Sequence, residues 1–360
     1  IYNQEINKGC IMKNKLKHLV PVLLALATIT GSLSACELKP KAQQKVSKQG
    51  FYFDTIIQIT LYGTTDEKYI DDCFDMAKKY EDMLSNTVSY SEVSKINDAA
   101  GKEYVTVSDD TLELIKNGIE YGDTSDGRFD ITIGKLSDLW NFSEIAENTD
   151  SKDNEVDASV VPSDAQIQSE LSHVNYRNIQ INGNDVMLTD SKAKLDLGGI
   201  AKGFIADKMK AYLQSKKITS GIINLGGNVL TVGEKSDGSD YTVGIQKPFD
   251  ESGEPICTVK IKDKSVVTSG IYERYYRVDG KLYHHILDTT TGYPVKNNLY
   301  SVTIISDSSC DGDALSTTCF ALGIDKAKEL INSLSGVEAI FVTDDYSIIT
   351  TSDEYNVSKE

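Results

Sequence analysis

Positive charge is scarce in this sequence. Its 360 residues include 37 Lys and Arg against 54 Asp and Glu, which gives a net charge of −17 at pH 7. Because polyanions are bound by basic surfaces, this balance argues against nucleic acid as a partner. An anionic substrate would need a bridging metal cation to approach such a protein. Solubility alone would also explain the acidity.

Cysteine is also sparse, and it has no paired spacing. Of the six cysteines, Cys73, Cys257, Cys310 and Cys319 lie in the main part of the chain, and none of them forms a Cys-x-x-Cys pair. This pattern excludes a disulfide scaffold and a cysteine zinc site. We expect these four cysteines to be buried free thiols.

Long apolar runs are equally rare. Residues 19–29 form an apolar stretch that is too short for a typical membrane span, and it follows Lys13, Lys15 and Lys17. A positive segment followed by a short apolar core is typical of an export signal. We expect that signal to begin at Met12.

The end of this signal has a distinctive pattern. Residues 33–36, Leu-Ser-Ala-Cys, resemble a bacterial lipobox, in which the cysteine is lipidated and becomes the mature N-terminus. We therefore predict upstream residues and a lipoprotein signal peptide over 1–35, a lipidated Cys36 with a polar tether over 36–49, and one domain over 50–360. A cleaved signal with an incidental cysteine is the alternative.

The rest of the chain alternates between helical and extended patterns. Spacing of apolar residues predicts helices over 66–84, 109–121 and 201–214 and after Asp313, and strands over 51–62, 105–107, 176–197 and much of 215–300. Residues 143–165 are acidic and polar, which predicts a surface excursion. Together these patterns predict one α+β domain of mixed or antiparallel sheets with flanking helices.

Asp313 and Thr317 lie four residues apart where a helix is expected to start. Residues with that spacing share one helix face. A carboxylate and a hydroxyl are hard oxygen ligands, which suit Mg²⁺ or Ca²⁺. The alternative is that Asp313 caps the helix and Thr317 has no role.

Residues 196–204 read Asp-Leu-Gly-Gly-Ile-Ala-Lys-Gly-Phe, between a predicted strand and a predicted helix. Gly198 and Gly199 would allow positive φ and close approach of a ligand. Lys202 and the free N–H groups of a helix start would then form a phosphate cradle. A plain strand–turn–helix connection is the alternative.

A second glycine pair follows a predicted strand. Gly226 and Gly227 would let a ligand approach the backbone, and Asn224 could hydrogen-bond to an amide or a ring edge. A simple tight turn would also explain the pattern.

Two of the four histidines are adjacent. Asp279-Gly280 predicts a type I′ turn, so residues 272–285 should form a hairpin. His284 and His285 would then point to opposite faces, so that one can enter a site while the other packs. A histidine beside a carboxylate such as Asp288 is a usable general base.

The order of these motifs resembles that of the FAD:protein FMN transferase family, the ApbE-type flavin transferases. The matching residues are Phe129-Asp130, Thr132, Gly134, Leu139-Trp140, Phe142, Asp196 to Gly203, Asn224, Gly226 to Asn228, Thr268 to Gly270, Tyr272 to Arg274, His285, Asp288, Thr291-Gly292, Pro294 and Asp313 to Thr317.

The resemblance implies a reaction, in which FMN is transferred from FAD to a Thr or Ser hydroxyl of an acceptor protein and AMP is released. It implies that Mg²⁺ is held by the side chains of Asp313 and Thr317 and by the carbonyl of Ala201. It also implies that His285 is the base and that Asp288 orients it.

The resemblance also implies a set of residues that bind FAD, the substrate. Lys202 and the Gly198-Gly199 turn would lie near the phosphates, while Asp196 and Glu273 would be supporting polar groups. The turn of Asn224, Gly226 and Gly227 would complete the flavin site. Tyr90 and Trp140 are candidates for stacking on the isoalloxazine ring.

Many members of the family are exported lipoproteins, which agrees with Cys36. The acceptor would be a separate exported or membrane FMN-binding protein, and this chain would be lipid-anchored on the extracytoplasmic face of the cell membrane. The alternatives are an Mg²⁺-dependent FAD pyrophosphatase, with water in place of the hydroxyl, and a passive FAD-binding lipoprotein.

Overall fold

The computed structural model describes residues 44–149, 154–250, 252–355 and 357–359. The predicted signal peptide and Cys36 lie outside these residues. No helix among the described residues is both long enough and apolar enough to cross a membrane. The tether prediction is wrong at its C-terminal end, because the first strand begins at Lys45 and includes residues 45–49.

The described residues form nine α-helices and sixteen strands. The helices are α1 (Lys68–Leu84), α2 (Glu92–Asp98), α3 (Asp109–Thr124), α4 (Gly134–Trp140), α5 (Phe142–Glu147), α6 (Asp164–Leu171), α7 (Ala201–Ser215), α8 (Ser309–Leu322) and α9 (Ile324–Ser333). The strands are β1 (Lys45–Tyr52), β2 (Thr55–Tyr62), β3 (Val105–Thr106), β4 (Ile179–Asn182), β5 (Asp185–Leu188), β6 (Ser220–Leu225), β7 (Asn228–Gly233), β8 (Tyr241–Gln246), β9 (Pro255–Ile261), β10 (Ser265–Gly270), β11 (Tyr275–Val278), β12 (Lys281–His284), β13 (Leu299–Ser306), β14 (Glu338–Thr343), β15 (Ile348–Thr350) and β16 (Ser358–Lys359).

One large sheet organises the fold. It has eight strands in the order β1-β2-β6-β7-β10-β13-β14-β15, and each neighbouring pair is antiparallel. Smaller antiparallel sheets are formed by β3-β5-β4, by β8 with β9 and β16, and by the β11–β12 hairpin. This arrangement agrees with the predicted α+β class.

Local signals placed several elements correctly. The Ser108 hydroxyl caps α3 by accepting a hydrogen bond from the Thr111 N–H. Asp279 and Gly280 have φ of 52° and 74° and join β11 to β12. Such φ values are those of the type I′ turn that the Asp-Gly pair favours.

Residues 51–62 were predicted to form one strand, and this is wrong. The chain turns at Phe53 and Asp54, which have φ of 53° and 54°, so that Tyr52 pairs with Thr55 across a hairpin. No glycine or proline marks the turn. It is stabilised by a distant residue, since the Phe53 N–H donates to the Glu81 carboxylate at 2.8 Å.

Helix α8 begins earlier than the sequence predicted. Ser308 is its N-cap and accepts a hydrogen bond from the Asp311 N–H at 3.1 Å. Asp313 therefore lies in the helix, and the alternative that it caps the helix is wrong. Gly323, with φ of 74°, ends α8.

Helices α7 and α8 pack against each other and against the large sheet. A Cβ atom added at Gly203 would overlap the carbonyl oxygen of Ser309, so the two helix backbones approach closely only because residue 203 is glycine. At Gly312 an added Cβ would lie 2.9 Å from Val267 on β10. This packing brings the start of α7 and the first turns of α8 to the same end of the sheet.

Candidate active site

Two hydrogen bonds define where the predicted site residues meet. The Gly203 N–H of α7 donates to Asp313 Oδ2 of α8 at 2.8 Å. The hydroxyls of Thr317 and Ser269 lie 3.1 Å apart, which ties α8 to the end of β10. The site is therefore built from the start of α7, one face of α8 and the C-terminal end of β10.

Asp313 is the buried carboxylate of this site, with 6% of its surface exposed. Burial raises the pKa of Asp313, while the charge of Lys202 and the hydrogen bond from Gly203 oppose the rise. The Gly203 bond occupies Oδ2, and Oδ1 has no hydrogen bond to the described residues. Oδ1 is therefore the atom that is available to a ligand.

Thr317 follows Asp313 by one helical turn, so the structure keeps both side chains on one face of α8, as the spacing predicted. Its hydroxyl is half-buried beside Ser269, whose Oγ also lies 2.7 Å from Ser316 Oγ. Ser269 belongs to a motif of the resemblance, but no sequence pattern marked it as a site residue.

The predicted phosphate cradle at the start of α7 offers fewer free backbone N–H groups than expected. The Ala201 N–H already donates to the Leu197 carbonyl at 2.9 Å, and the Gly203 N–H is used by Asp313. The Lys202 N–H has no such partner among the described residues. A phosphate contact at this helix end would therefore fall to Lys202.

The two glycines before α7 do not have the predicted positive φ. Glycine is needed at these two positions because neighbouring atoms leave little room for a Cβ. A Cβ at Gly199 would lie 3.2 Å from the Phe129 ring, and one at Gly198 would lie 3.0 Å from Asp196 Oδ1. Asp196 shapes this turn, because its Oδ1 accepts a hydrogen bond from the Gly198 N–H at 2.8 Å.

Lys202 supplies the positive charge of the site. Its charge lowers the pKa of Asp313, of Glu273 and of His285, so it lies within electrostatic reach of all three. In the part of the chain that the structure describes, its ammonium group has no ion pair within 4.0 Å. A lysine whose ammonium group has no ion pair can neutralise an incoming phosphate.

Glu273 lies in the loop between β10 and β11 and keeps contact with solvent. Burial nevertheless raises its pKa, while Lys202 and Arg274 oppose the rise. Solvent contact together with dense surrounding protein is the combination expected of a cleft. Glu273 therefore lines the opening beside Lys202.

His285 is held in one tautomer. Its Nδ1 lies 3.2 Å from the Arg274 carbonyl oxygen, which can only accept, so Nδ1 carries the proton and Nε2 keeps a free lone pair. Burial lowers the pKa of His285 to about 3, with further lowering by the charge of Arg274. The imidazole is therefore neutral near pH 7 and able to accept a proton at Nε2.

His284 points to the opposite face, as the strand alternation predicted. It is buried, and its Nε2 donates to the Val295 carbonyl at 3.0 Å while the Ile286 N–H donates to its Nδ1 at 3.3 Å. Burial lowers the pKa of His284 to about 4. Its two nitrogens are both used in packing the loop, so it has a structural role.

Asp288 does not orient His285 in this structure, which corrects the prediction. Its carboxylate bonds to Arg128 at 2.9 Å and to the Thr290 N–H at 2.8 Å. His285 is held instead by the Arg274 carbonyl. The reason is the local turn: the Asp288 carboxylate accepts a hydrogen bond from the Thr290 N–H in an Asx-turn, which directs it away from His285.

The second glycine pair forms a tight turn between β6 and β7. Gly226 and Gly227 have φ of 63° and 94°, and Asn224 Oδ1 accepts a hydrogen bond from the Gly227 N–H at 2.9 Å. The turn reading is therefore correct in this conformation. A contact of this turn with flavin stays a prediction.

The two stacking candidates have very different surroundings. Trp140 is fully buried among aromatic rings, and its Nε1 donates to the Gly292 carbonyl at 2.8 Å, so stacking on a flavin is wrong for this residue. Tyr90 is 61% exposed in the loop between α1 and α2, where its hydroxyl donates to Asp82 at 2.8 Å. Its stacking role stays a prediction.

The predicted metal ligands include one acidic side chain, that of Asp313. Among the described residues there is no group of three or more His, Cys, Asp or Glu side chains that could hold a metal ion. Asp313, Thr317 and the Ala201 carbonyl provide a single carboxylate and two neutral oxygens. Such a set fits Mg²⁺, which commonly takes one or two carboxylates and completes its shell with water and substrate phosphate.

Known proteins resemble this chain in sequence and in fold. Residues 53–341 match the ApbE family. The chain belongs to the ApbE family. Curated relatives named FAD:protein FMN transferase include one from Klebsiella pneumoniae, 38% identical over 298 residues, which covers 82% of this chain and 88% of the relative. Another, from Treponema pallidum, is 31% identical and covers 77% of each chain.

Solved ApbE structures have the same fold. The crystal structure of the ApbE protein from Thermotoga maritima superposes with a TM-score of 0.77 at 30% identity, covering 88% of this chain and all (100%) of that one. The apo flavinyl transferase ApbE from Pseudomonas stutzeri gives 0.73 at 25% identity, covering 87% and 97%. These matches confirm the predicted family and the α+β fold class.

Proposed function

We propose that this ApbE-family chain transfers FMN from FAD to a Ser or Thr hydroxyl of an acceptor protein and releases AMP. The names of its relatives support the reaction. The observation that carries the proposal is the neutral His285 with a free Nε2, because the charge of Lys202 acts both on this histidine and on the Asp313 carboxylate.

In this reaction the acceptor oxygen attacks the phosphorus of the FMN half. A new P–O bond forms, the pyrophosphate P–O bond breaks, and the electron pair leaves with AMP. A hydroxyl is a weak nucleophile, so His285 Nε2 would take its proton as the bond forms. General base catalysis of this kind typically contributes about 10²–10⁴-fold.

The remaining work is positioning and neutralising charge, because phosphoryl transfer needs little covalent help from the protein. Lys202 would contact the phosphate oxygens. Asp313 Oδ1, the Thr317 hydroxyl and the Ala201 carbonyl would hold Mg²⁺, which when bound supplies positive charge to the diphosphate. Glu273 would order polar groups at the edge of the cleft.

We further propose that Cys36 is lipidated and that the acceptor is an exported or membrane FMN-binding protein. The lipobox-like residues 33–36 support the first point. Lipidation would place the chain on the extracytoplasmic face of the cell membrane. Mass spectrometry of the mature N-terminus tests this, and an unmodified Cys36 would contradict it.

The reaction is tested by incubating the chain with FAD, MgCl₂ and an FMN-binding acceptor domain, followed by the intact mass of the acceptor. A gain of one FMN is the expected result. FMN and AMP in solution without a labelled acceptor would instead indicate a pyrophosphatase. Unchanged FAD would indicate a passive binder.

A further inference from the structure

Helices α7 and α8 exchange caps. Asp313 of α8 accepts the Gly203 N–H near the start of α7 at 2.8 Å. In return, Asp207 of α7 accepts the N–H groups of Ser309 and Cys310 at the start of α8, each at 2.9 Å. Each helix therefore satisfies free N–H groups of the other.

Asp207 accepts more hydrogen bonds than Asp313 does. Besides the two N–H groups, its Oδ2 accepts a hydrogen bond from the hydroxyl of Ser308, the N-cap of α8, at 3.1 Å. Burial raises the pKa of Asp207, and these three bonds oppose the rise. A half-buried carboxylate with three donors directed at it is fixed in place.

The exchange leaves little freedom between the helices. The backbones are in contact at Gly203 and Ser309, because glycine leaves no Cβ between them. Ser309 is also tied to the sheet, since its hydroxyl donates to Asn228 Oδ1 at 2.6 Å and accepts from Ser265 at 2.9 Å. The start of α8 is thus fixed to α7 and to two strands at once.

This joint spans the proposed Mg²⁺ ligands. One of them, the Ala201 carbonyl, belongs to α7, and the other two, Asp313 and Thr317, belong to α8. Their separation is set by how the two helices are joined. Groups behind metal ligands that orient them commonly change metal affinity by about 10–100-fold when they are altered.

We propose that Asp207 is a positioning residue of the active site: its caps on α8 hold the Asp313–Thr317 face at the distance from Ala201 that a divalent cation requires. The inference rests on the proposed function, because it takes those three residues as the Mg²⁺ ligands. Asp207 itself does not touch substrate or metal.

The test compares wild type with Asp207→Asn, which keeps the shape of the side chain but replaces one accepting oxygen by an NH₂ group. Calorimetric titration with MgCl₂ alone measures the dissociation constant for Mg²⁺, and the FMN transfer assay measures the MgCl₂ concentration for half-maximal rate. We expect both to rise about tenfold or more, with the rate at saturating MgCl₂ largely restored.

Two further variants separate positioning from stability. Ser163 is the N-cap of α6 and forms a capping box with Gln166. Ser163→Ala removes this cap and should lower the melting temperature without changing the MgCl₂ dependence. Ser309→Ala keeps the N–H bond to Asp207 but loses the ties to Asn228 and Ser265, so its MgCl₂ dependence should shift less than that of Asp207→Asn.

An Asp207→Asn protein that melts earlier yet has wild-type MgCl₂ dependence in both measurements would overturn the inference, since Asp207 would then be only structural. Wild-type protein that binds MgCl₂ but transfers no FMN would overturn the proposed function instead. In that case the calorimetric comparison would still decide the role of Asp207.

Discussion

The two sides of the active site are built in different ways. The helix side consists of α7 and α8 and holds Ala201, Lys202, Asp313 and Thr317. Its Asp313 is buried, and its position follows from helix caps and from contact between backbones. Such contacts are rigid because a helix moves as a unit.

The hairpin side consists of β11, β12 and the loops that flank them, with Glu273, Arg274, His285 and Asp288. Its residues are half-buried or exposed, and loop hydrogen bonds hold them. The hairpin packs on its own small core around Trp140 and Tyr276. This difference suits the proposed function, which needs a fixed side for the diphosphate and an accessible side where a protein hydroxyl can reach the proposed base.

The largest expected effect is on the helix side. Asp313→Ala should lower FMN transfer by at least about 10³-fold, because the only carboxylate among the proposed Mg²⁺ ligands is lost. Folding should survive, since the orphaned Gly203 N–H costs about 1–3 kcal/mol and burial of a carboxylate is relieved. Transfer rates and thermal melting measure the two effects, with Asp313→Asn as the matched control that keeps an acceptor for Gly203. Substantial activity in both variants would contradict the metal assignment.

The hairpin side should separate binding from chemistry. His285→Ala is expected to lower the transfer rate by about 10²–10⁴-fold while FAD affinity stays close to that of wild type, because the base acts on the acceptor hydroxyl and not on FAD. Single-turnover transfer and equilibrium FAD titration measure these quantities. A full rate in His285→Ala would mean that another group removes the proton.

The same histidine should appear in the pH dependence of stability. Because burial lowers the pKa of His285 to about 3 from an ordinary value near 6.5, the folded state binds fewer protons than the unfolded state between these values. Its contribution is complete above about pH 6.5 and is lost as the pH falls. We expect the free energy of unfolding to decrease less steeply from pH 7 to 4.5 in His285→Asn than in wild type. Identical slopes in denaturant titrations would show that His285 titrates normally.

The smallest effect should come from Asp288. Its pair with Arg128 is partly exposed, and such pairs contribute about 0–1 kcal/mol. Because His285 is held by the Arg274 carbonyl, Asp288→Asn should change the transfer rate by less than about fivefold. Steady-state rates of Asp288→Asn and His285→Ala, measured together, test this. A loss as large as that of His285→Ala would restore the orienting role first predicted for Asp288.

Sequence reasoning succeeded where the signal is local. The Asp279-Gly280 turn and the one-face placement of Asp313 with Thr317 each depend on residues within one turn of chain. Their geometry follows from backbone preferences and helical spacing, which neighbouring residues fix. It failed at Phe53, where the turn depends on Glu81, far away along the chain.

The sequence by itself determined the family, the elements around the motifs and the acidic character of the chain, because motif order, spacing and composition are properties of the chain alone. Only the tertiary structure decided that Arg274 orients His285, that Asp313 uses one oxygen on Gly203, and that Asp207 joins α7 to α8. Each of these contacts connects segments that are distant along the chain or in different elements. Their hydrogen bonds form only once the packing of helices on the sheet has brought donor and acceptor together.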